Sequence, residues 1–212
     1  MRVFAALCIG VGLAAGSAPA LAHPHVWVTT RAEVLYAPDG HIAAIRHAWT
    51  FDQGYSAYAA QGLVEDGRLD PEKGRELAKT NPESLAENGF FTVLRAGGTK
   101  QAFDVPRDQE MAFEDGRLTL RFTLPLKEPA KSARLLLDVH DPSFFVDFAL
   151  AEGDDAVRLT GAPPGCGVEI RRPKPAAAAA DQKNLAESFF QALTGSTEAG
   201  AQFATRTTIQ CR

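Results

Sequence analysis

Val26, Val28, Val34 and Tyr36 alternate with Trp27, Thr29, Arg31 and Glu33. This period-two pattern predicts a strand with one buried face. Pro38-Asp39-Gly40 marks a turn, and alternation resumes from Ile42 to Phe51, so residues 25–52 read as a β-hairpin. With a loop of Ala37 to Gly40, Tyr36 pairs with His41 and His25 faces Asp52. A two-residue loop moves the partner of His25 to Gly54. A short helix is expected over Tyr55 to Leu63. Asp70-Pro71 supplies an N-cap and a proline at the first helical position, for a helix to about Lys79. Asn81-Pro82 restarts it and Gly89 ends it.

The second half alternates as strands. Phe90 to Arg95 and Lys100 to Val105 flank Gly97-Gly98, and Met111 to Phe113 and Arg117 to Leu124 flank Asp115-Gly116. Leu135 to Val139 and Phe145 to Leu150 flank Asp141-Pro142-Ser143, and Val157 to Thr160 and Val168 to Arg171 are shorter candidates. Residues 173–180, Pro-Lys-Pro and five alanines, read as a linker. Asp181 then caps a helix to about Leu193, and Phe203 to Cys211 is a last strand. The expected fold is mainly β (α+β): an antiparallel β-sandwich or open β architecture with a small helical insertion at about 54–89 and a C-terminal helix plus strand. The main domain spans 23–172, and 181–212 forms the C-terminal unit.

The first 22 residues stand apart. Met1-Arg2 precedes an uncharged run from Val3 to Ala15, and Ala20-Leu21-Ala22 closes it with a small-x-small pattern. This reads as a secretory signal peptide cut between Ala22 and His23. The competing reading is an uncut N-terminal anchor, which the Gly and Pro interruptions disfavour. The chain has 212 residues, 22 basic and 26 acidic. Cleavage removes one charge, Arg2, and leaves 190 residues at a net charge of −5. That mild acidity argues against nucleic acid or an anionic membrane surface as the main partner, and no membrane span is expected after cleavage. Cys8 leaves with the signal. Cys166 and Cys211 remain, an even pair that suggests a disulfide in an exported chain. The alternative is two free thiols acting as soft metal ligands.

Cleavage changes the chemistry of His23-Pro24-His25. A free α-amine joins two imidazoles within three residues, and amine and imidazole nitrogens suit Cu, Ni, Co and Zn. Pro24 has no N–H, so a square-planar site using the second amide is excluded and further ligands must come from the fold. Asp52 is the first candidate, because the hairpin returns it to the mature N-terminus. His47 lies on the opposite face by parity and ranks lower. His140-Asp141 precedes a turn. Asp141 is a further candidate and His140 a lower one. Each has a structural alternative: Asp52 as a helix cap, Asp141 as a turn former, His47 as a packed histidine beside Trp49. Glu65-Asp66-Gly67 looks like the middle of a calcium loop, but the surrounding positions lack the carboxylates that such a loop needs. No nucleophile elbow, Walker loop or His-Glu-x-x-His is present.

These residues together resemble a known family. His23-Pro24-His25-Val26-Trp27 follows a signal peptide. Trp49-Thr50-Phe51-Asp52 with Tyr55, Leu85-Ala86-Glu87-Asn88-Gly89-Phe90-Phe91, Asp141-Pro142 with Phe144-Phe145, and Gly161-Ala162-Pro163 before Cys166 come next, with a final cysteine. Over nearly the whole mature chain this is similar to a bacterial family of exported proteins, number one thousand and seven in the domain-of-unknown-function series. The family is described as the periplasmic component of an uncharacterised ABC-type transport system, often encoded beside nickel/cobalt exporters. The resemblance implies a periplasmic location, a link to transition-metal handling and a membrane metal transporter or exporter as partner. Similar proteins often carry a fuller acidic segment near residues 62–70 and an aromatic in place of His140.

The expectation is therefore a periplasmic, non-catalytic accessory protein. It holds a transition metal ion (Zn, Ni, Co or Cu) through His23, His25 and a carboxylate, and assists a metal or ABC-type transport system. Two alternatives stand beside it: an N-terminal-His copper enzyme, and the solute-binding component of an ABC transporter.

Overall fold

The structure is a computed structural model that describes residues 25–143, 145–172 and 205–212. The expected signal peptide, the 173–180 linker and the helix from Asp181 lie outside the described residues. In chain order the strands are β1 (Val26–Tyr36), β2 (Ile42–Phe51), β3 (Val64–Glu65), β4 (Arg68–Leu69), β5 (Thr92–Ala96), β6 (Thr99–Lys100), β7 (Arg107–Glu114), β8 (Arg117–Ala130), β9 (Arg134–Val139), β10 (Val146–Leu150), β11 (Val157–Thr160), β12 (Gly167–Arg171) and β13 (Arg206–Gln210). The helices are α1 (Gln53–Ala59) and α2 (Pro71–Ser84), followed by a short 3-10 segment at Ala86–Phe91.

Two sheets carry the fold. The first runs β10-β1-β2-β8-β7, with β11 also paired to β1, and the second runs β12-β13-β9-β5-β6. The mainly β expectation holds, with one correction. The sheets are not wholly antiparallel, because β10 and β11 both run parallel to β1. The edge passes from one to the other midway along β1: Ala151 N–H donates to Thr30 C=O at 2.9 Å, and Ala32 N–H donates to Ala156 C=O at 3.0 Å.

The 25–52 hairpin forms as expected, but its register differs. Tyr36 pairs with Ile42 and Leu35 with Ala44, so Ala43 is an extra residue in a bulge. From there Val34 pairs with Ile45, and Val28 with Phe51. Two one-residue steps, Tyr36 pairing with Ile42 instead of His41 at the turn and then the bulge, bring Trp27, not His25, against Asp52; Asp52 N–H donates to Trp27 C=O at 2.9 Å. This is the register expected from a two-residue loop, reached instead by the turn and the bulge together.

Alternation places the core. Val28, Val34, Ile45, Trp49, Leu118, Leu120, Phe122 and Leu124 are buried on one face of the first sheet. Leu94, Leu135, Leu137 and Ile209 of the second sheet join Val34, Ile42 and Ile45 in one cluster. Ala60, Ala78 of α2, Phe90 and Phe91 join Trp49, Phe51 and Phe122 in the other. Sheet therefore covers one end of the inner face, and the helical insertion covers the other. Ser56 of α1 is fully buried, and its hydroxyl accepts from Leu118 N–H at 2.9 Å, seating α1 on the start of β8.

Asp70 caps α2 as expected, its carboxylate accepting from Glu72 N–H at 2.9 Å and Lys73 N–H at 3.1 Å. Glu65 to Arg68 form a tight β3–β4 hairpin with Asp66 and Gly67 at positive φ, a turn rather than an ion loop. Gly89 ends the helical stretch with φ 59°, and Phe90 N–H donates back to Leu85 C=O at 3.0 Å, a Schellman closure. The left-handed path continues through Phe90 and Phe91, at φ 57° and 50°, so β5 starts at Thr92 and not at Phe90. Left-handed backbone costs an L-residue roughly 1–2 kcal/mol. Burying each phenyl ring contributes about 1.5–3 kcal/mol, which offsets it. Gly161 is required for a different reason: at φ 72°, a Cβ there would sit 2.8 Å from Tyr36 C=O.

Cys166 and Cys211 form a disulfide across 45 residues, beside the β12–β13 pairing. In the chain-entropy model a loop of this length contributes about 4 kcal/mol. We predict that the Cys166→Ser/Cys211→Ser protein loses about 2–4 kcal/mol in urea unfolding. Reductant should lower the midpoint of the native chain and leave that of the variant unchanged.

Candidate functional site

The candidate residues separate into those that serve the fold and those that face outward. His47 lies on the inner face of β2 and is fully buried. Its ring packs 5.1 Å from Phe122 and 5.7 Å from Trp49, centroid to centroid. Thr92 Oγ1 donates to Phe90 C=O at 2.9 Å and so accepts from His47 Nε2–H at 3.2 Å. Burial among apolar neighbours pushes the imidazole pKa down to about 3. His47 is thus a neutral core histidine, on the opposite face of the sheet from His25.

Asp52 is an N-cap. One oxygen accepts from Tyr55 N–H at 2.9 Å, and the other from Trp27 N–H at 3.0 Å. Partial burial raises its carboxyl, but the backbone N–H groups of Tyr55, Trp27 and Gly54 outweigh this and hold it below its ordinary value. One carboxylate therefore starts α1 and ties it to β1.

Asp141 is buried and organises the turn from β9 into β10. Its Oδ1 accepts from Ser143 N–H at 2.8 Å and Ser143 Oγ at 2.7 Å, and its Oδ2 accepts from Val146 N–H at 3.0 Å. His140 N–H donates to Phe91 C=O at 2.9 Å, continuing the β5–β9 pairing toward the same turn. The fold thus brings Asp52 and Asp141 to the same end of the first sheet. Each carboxylate serves the backbone on one side of β1.

His25 occupies the outer side of that end. Its N–H donates to Phe145 C=O at 2.9 Å, and its ring lies 4.9 Å from the Phe145 ring. It is exposed and points to the same face as Trp27. His23 lies outside the described residues. Trp27 and Phe145 are 51% and 47% exposed, high values for large aromatic side chains. Beside them stands Asp147, half-buried and level with Trp27 in the parallel β1–β10 register. Burial raises its carboxyl pKa, and among the described residues it has no hydrogen-bonded or ionic partner. No group of three or more His, Cys, Asp or Glu side chains placed to hold a metal occurs among the described residues.

Sequence reading passed over Asp147 because its place depends on a pairing between segments some 120 residues apart. The available signal was its parity. It alternates with Phe148, whose ring packs against Trp49 and Phe91 in the core, so Asp147 must face outward.

Fold and site together define a two-sheet β-sandwich, capped by a helical insertion and tied by a disulfide. One central strand is directly preceded by a histidine and carries an exposed tryptophan as its second residue. The chain belongs to the family described as "Protein of unknown function (DUF1007)", whose family model matches residues 8–211. No curated protein and no solved structure matches it.

The buried histidine generates a pH prediction. Unfolded, His47 takes up a proton below about pH 6.5; folded, it does so only near pH 3. Between these values the unfolded chain binds more protons, so stability falls on acidification by about 1.4 kcal/mol per pH unit from this group. It is fully present above pH 6.5 and is lost progressively down to about pH 3. His47→Leu removes the titration. Urea unfolding from pH 7 to 4 should therefore show a shallower loss in the variant, and parallel curves would contradict the neutral assignment.

Proposed function

We propose that the protein is an exported periplasmic accessory protein that binds a transition metal (Zn, Ni, Co or Cu) through its mature amino terminus and assists a metal or ABC-type transport system. The observation that carries this reading is the position of His25. It directly precedes a strand hydrogen-bonded on both sides, and it is held exposed at the end of the sheet by Phe145 and by the anchoring of Trp27 to Asp52. A cut after Ala22 places the α-amine and ring of His23 two residues away, within about 7 Å of chain. Two imidazoles and an amine are a donor set that borderline divalent metals favour. Fixing one of the three in advance lowers the ordering cost of binding. The Cys166–Cys211 bond supports the same placement, because disulfides persist in oxidising compartments such as the periplasm. With metal bound, the site supplies a labile N-donor complex for transfer. The chain's own part is to hold His25 at a fixed, solvent-facing position.

The test is titration with Zn, Ni, Co and Cu of protein exported from cells and shown by intact mass to begin at His23. It is compared with a form carrying one extra residue before His23. We expect binding by the first and roughly tenfold weaker binding or worse by the second. Equal binding, or none, would overturn the reading.

A further inference from the structure

We propose that Asp147 is the carboxylate ligand of this amino-terminal metal site, an inference that rests on the metal reading above. The parallel register places Val26 against Val146 and Trp27 against Asp147, and His25 and Phe145, each directly before its strand, lie ring to ring at 4.9 Å. On the outer face these four residues form a two-by-two block. Trp27 and Phe145, both aromatic, occupy one diagonal. His25 and Asp147, the two donors, occupy the other. A two-residue rise of about 6.6 Å and one strand spacing of about 4.8 Å put such diagonal neighbours about 8 Å apart at Cα, a span that an imidazole and a carboxylate bridge through a shared ion.

Two further observations single out Asp147 among the carboxylates at this end. Asp52 and Asp141 already use both oxygens on groups that fix the fold, whereas Asp147 has no hydrogen-bonded or ionic partner among the described residues. Elsewhere on this face charges meet in pairs, Arg31 with Asp155 at 2.7 Å, Arg46 with Glu33 at 2.7 Å and Arg121 with Glu110 at 3.7 Å. A half-buried carboxylate without a counter-charge is costly, and burial raises the Asp147 carboxyl accordingly. A divalent cation taking nitrogen from His25 and oxygen from Asp147 relieves that cost, with borderline metals matching the mixed donors. Trp27 lies beside the ion in this arrangement, so its indole reports occupancy. Trp49 is buried in the core and provides a separate, blue-shifted emission.

The experiment uses protein beginning at His23 and titrates Ni and Zn by calorimetry, with tryptophan emission followed in parallel. Asp147→Asn should weaken binding about tenfold or more and abolish quenching of the exposed tryptophan by Ni. Glu110→Gln removes an equal charge from the same face and should leave the affinity within about twofold. Asp147→Glu keeps the charge with a longer reach and should restore part of the affinity. Without metal, Asp147→Asn should keep or raise the melting temperature, because it removes an uncompensated charge; this separates ligand loss from misfolding. Native affinity in Asp147→Asn, with binding still lost on N-terminal extension, would overturn the assignment and leave the metal reading standing. Equal weakening by Glu110→Gln would reduce the effect to general electrostatics and also overturn it. Failure of the His23-starting protein to bind either metal, or Cu or Co, would overturn both.

Discussion

The structure depends on β1. It is paired with β2 on one side and with β10 and then β11 on the other, so it cannot move without breaking hydrogen bonds on both edges. Every other feature of the outward-facing end follows from that constraint. Residues 26 and 27 begin a central strand, with His25 directly before them, and a central strand in a sandwich is among the last elements to open locally. Under the proposed cut after Ala22, the new terminus would lie only two residues from His25 and this strand, whereas most chain termini fray.

The carboxylates show how the fold spends its polar groups. Asp52, Asp141 and Asp70 each satisfy two or more donors at a helix start or turn. An orphan backbone N–H in these positions would cost about 1–3 kcal/mol, so these side chains are structural first. Asp147 has no such task. The same logic separates the histidines: His47 gives a hydrogen bond to Thr92 inside an aromatic pocket, while His25 sits outside on Phe145.

Much of the architecture was legible in the residues. Alternation identified the 25–52 hairpin and most later strands, though the expected Lys100–Val105 strand is only the two-residue β6 with an isolated bridge at Phe103; turn chemistry marked Asp115-Gly116 and Gly89, and the cysteine count pointed to the 166–211 bridge. What was not legible depended on long-range packing. The bulge at Ala43 shifts the hairpin register by one residue, and nothing in Ile42-Ala43-Ala44 announces it. The parallel neighbours of β1 are set by a crossing from the second sheet at Asp141, so Asp147 was read only as part of a strand. The left-handed Phe90-Phe91 turn reverses a local preference, and tertiary burial of both rings is what maintains it. For the candidate site, the fold brings His25, Asp52 and Asp141 to one end of the first sheet, while His47 is packed in the core and the segment near Gly67 is a tight turn.

The central claim is that the segment entering β10 holds the residue directly before β1 in place. Residue-resolved amide hydrogen exchange by NMR reads this directly at His25, whose N–H donates to Phe145 C=O at 2.9 Å. A His25 amide held by that pairing exchanges slowly, with protection approaching that of Val28 and Val34 within the strand. Exchange of His25 at the rate of an unstructured chain, with Val28 and Val34 still protected, would show that the terminus is not held by β10 and would contradict the rigid-donor account.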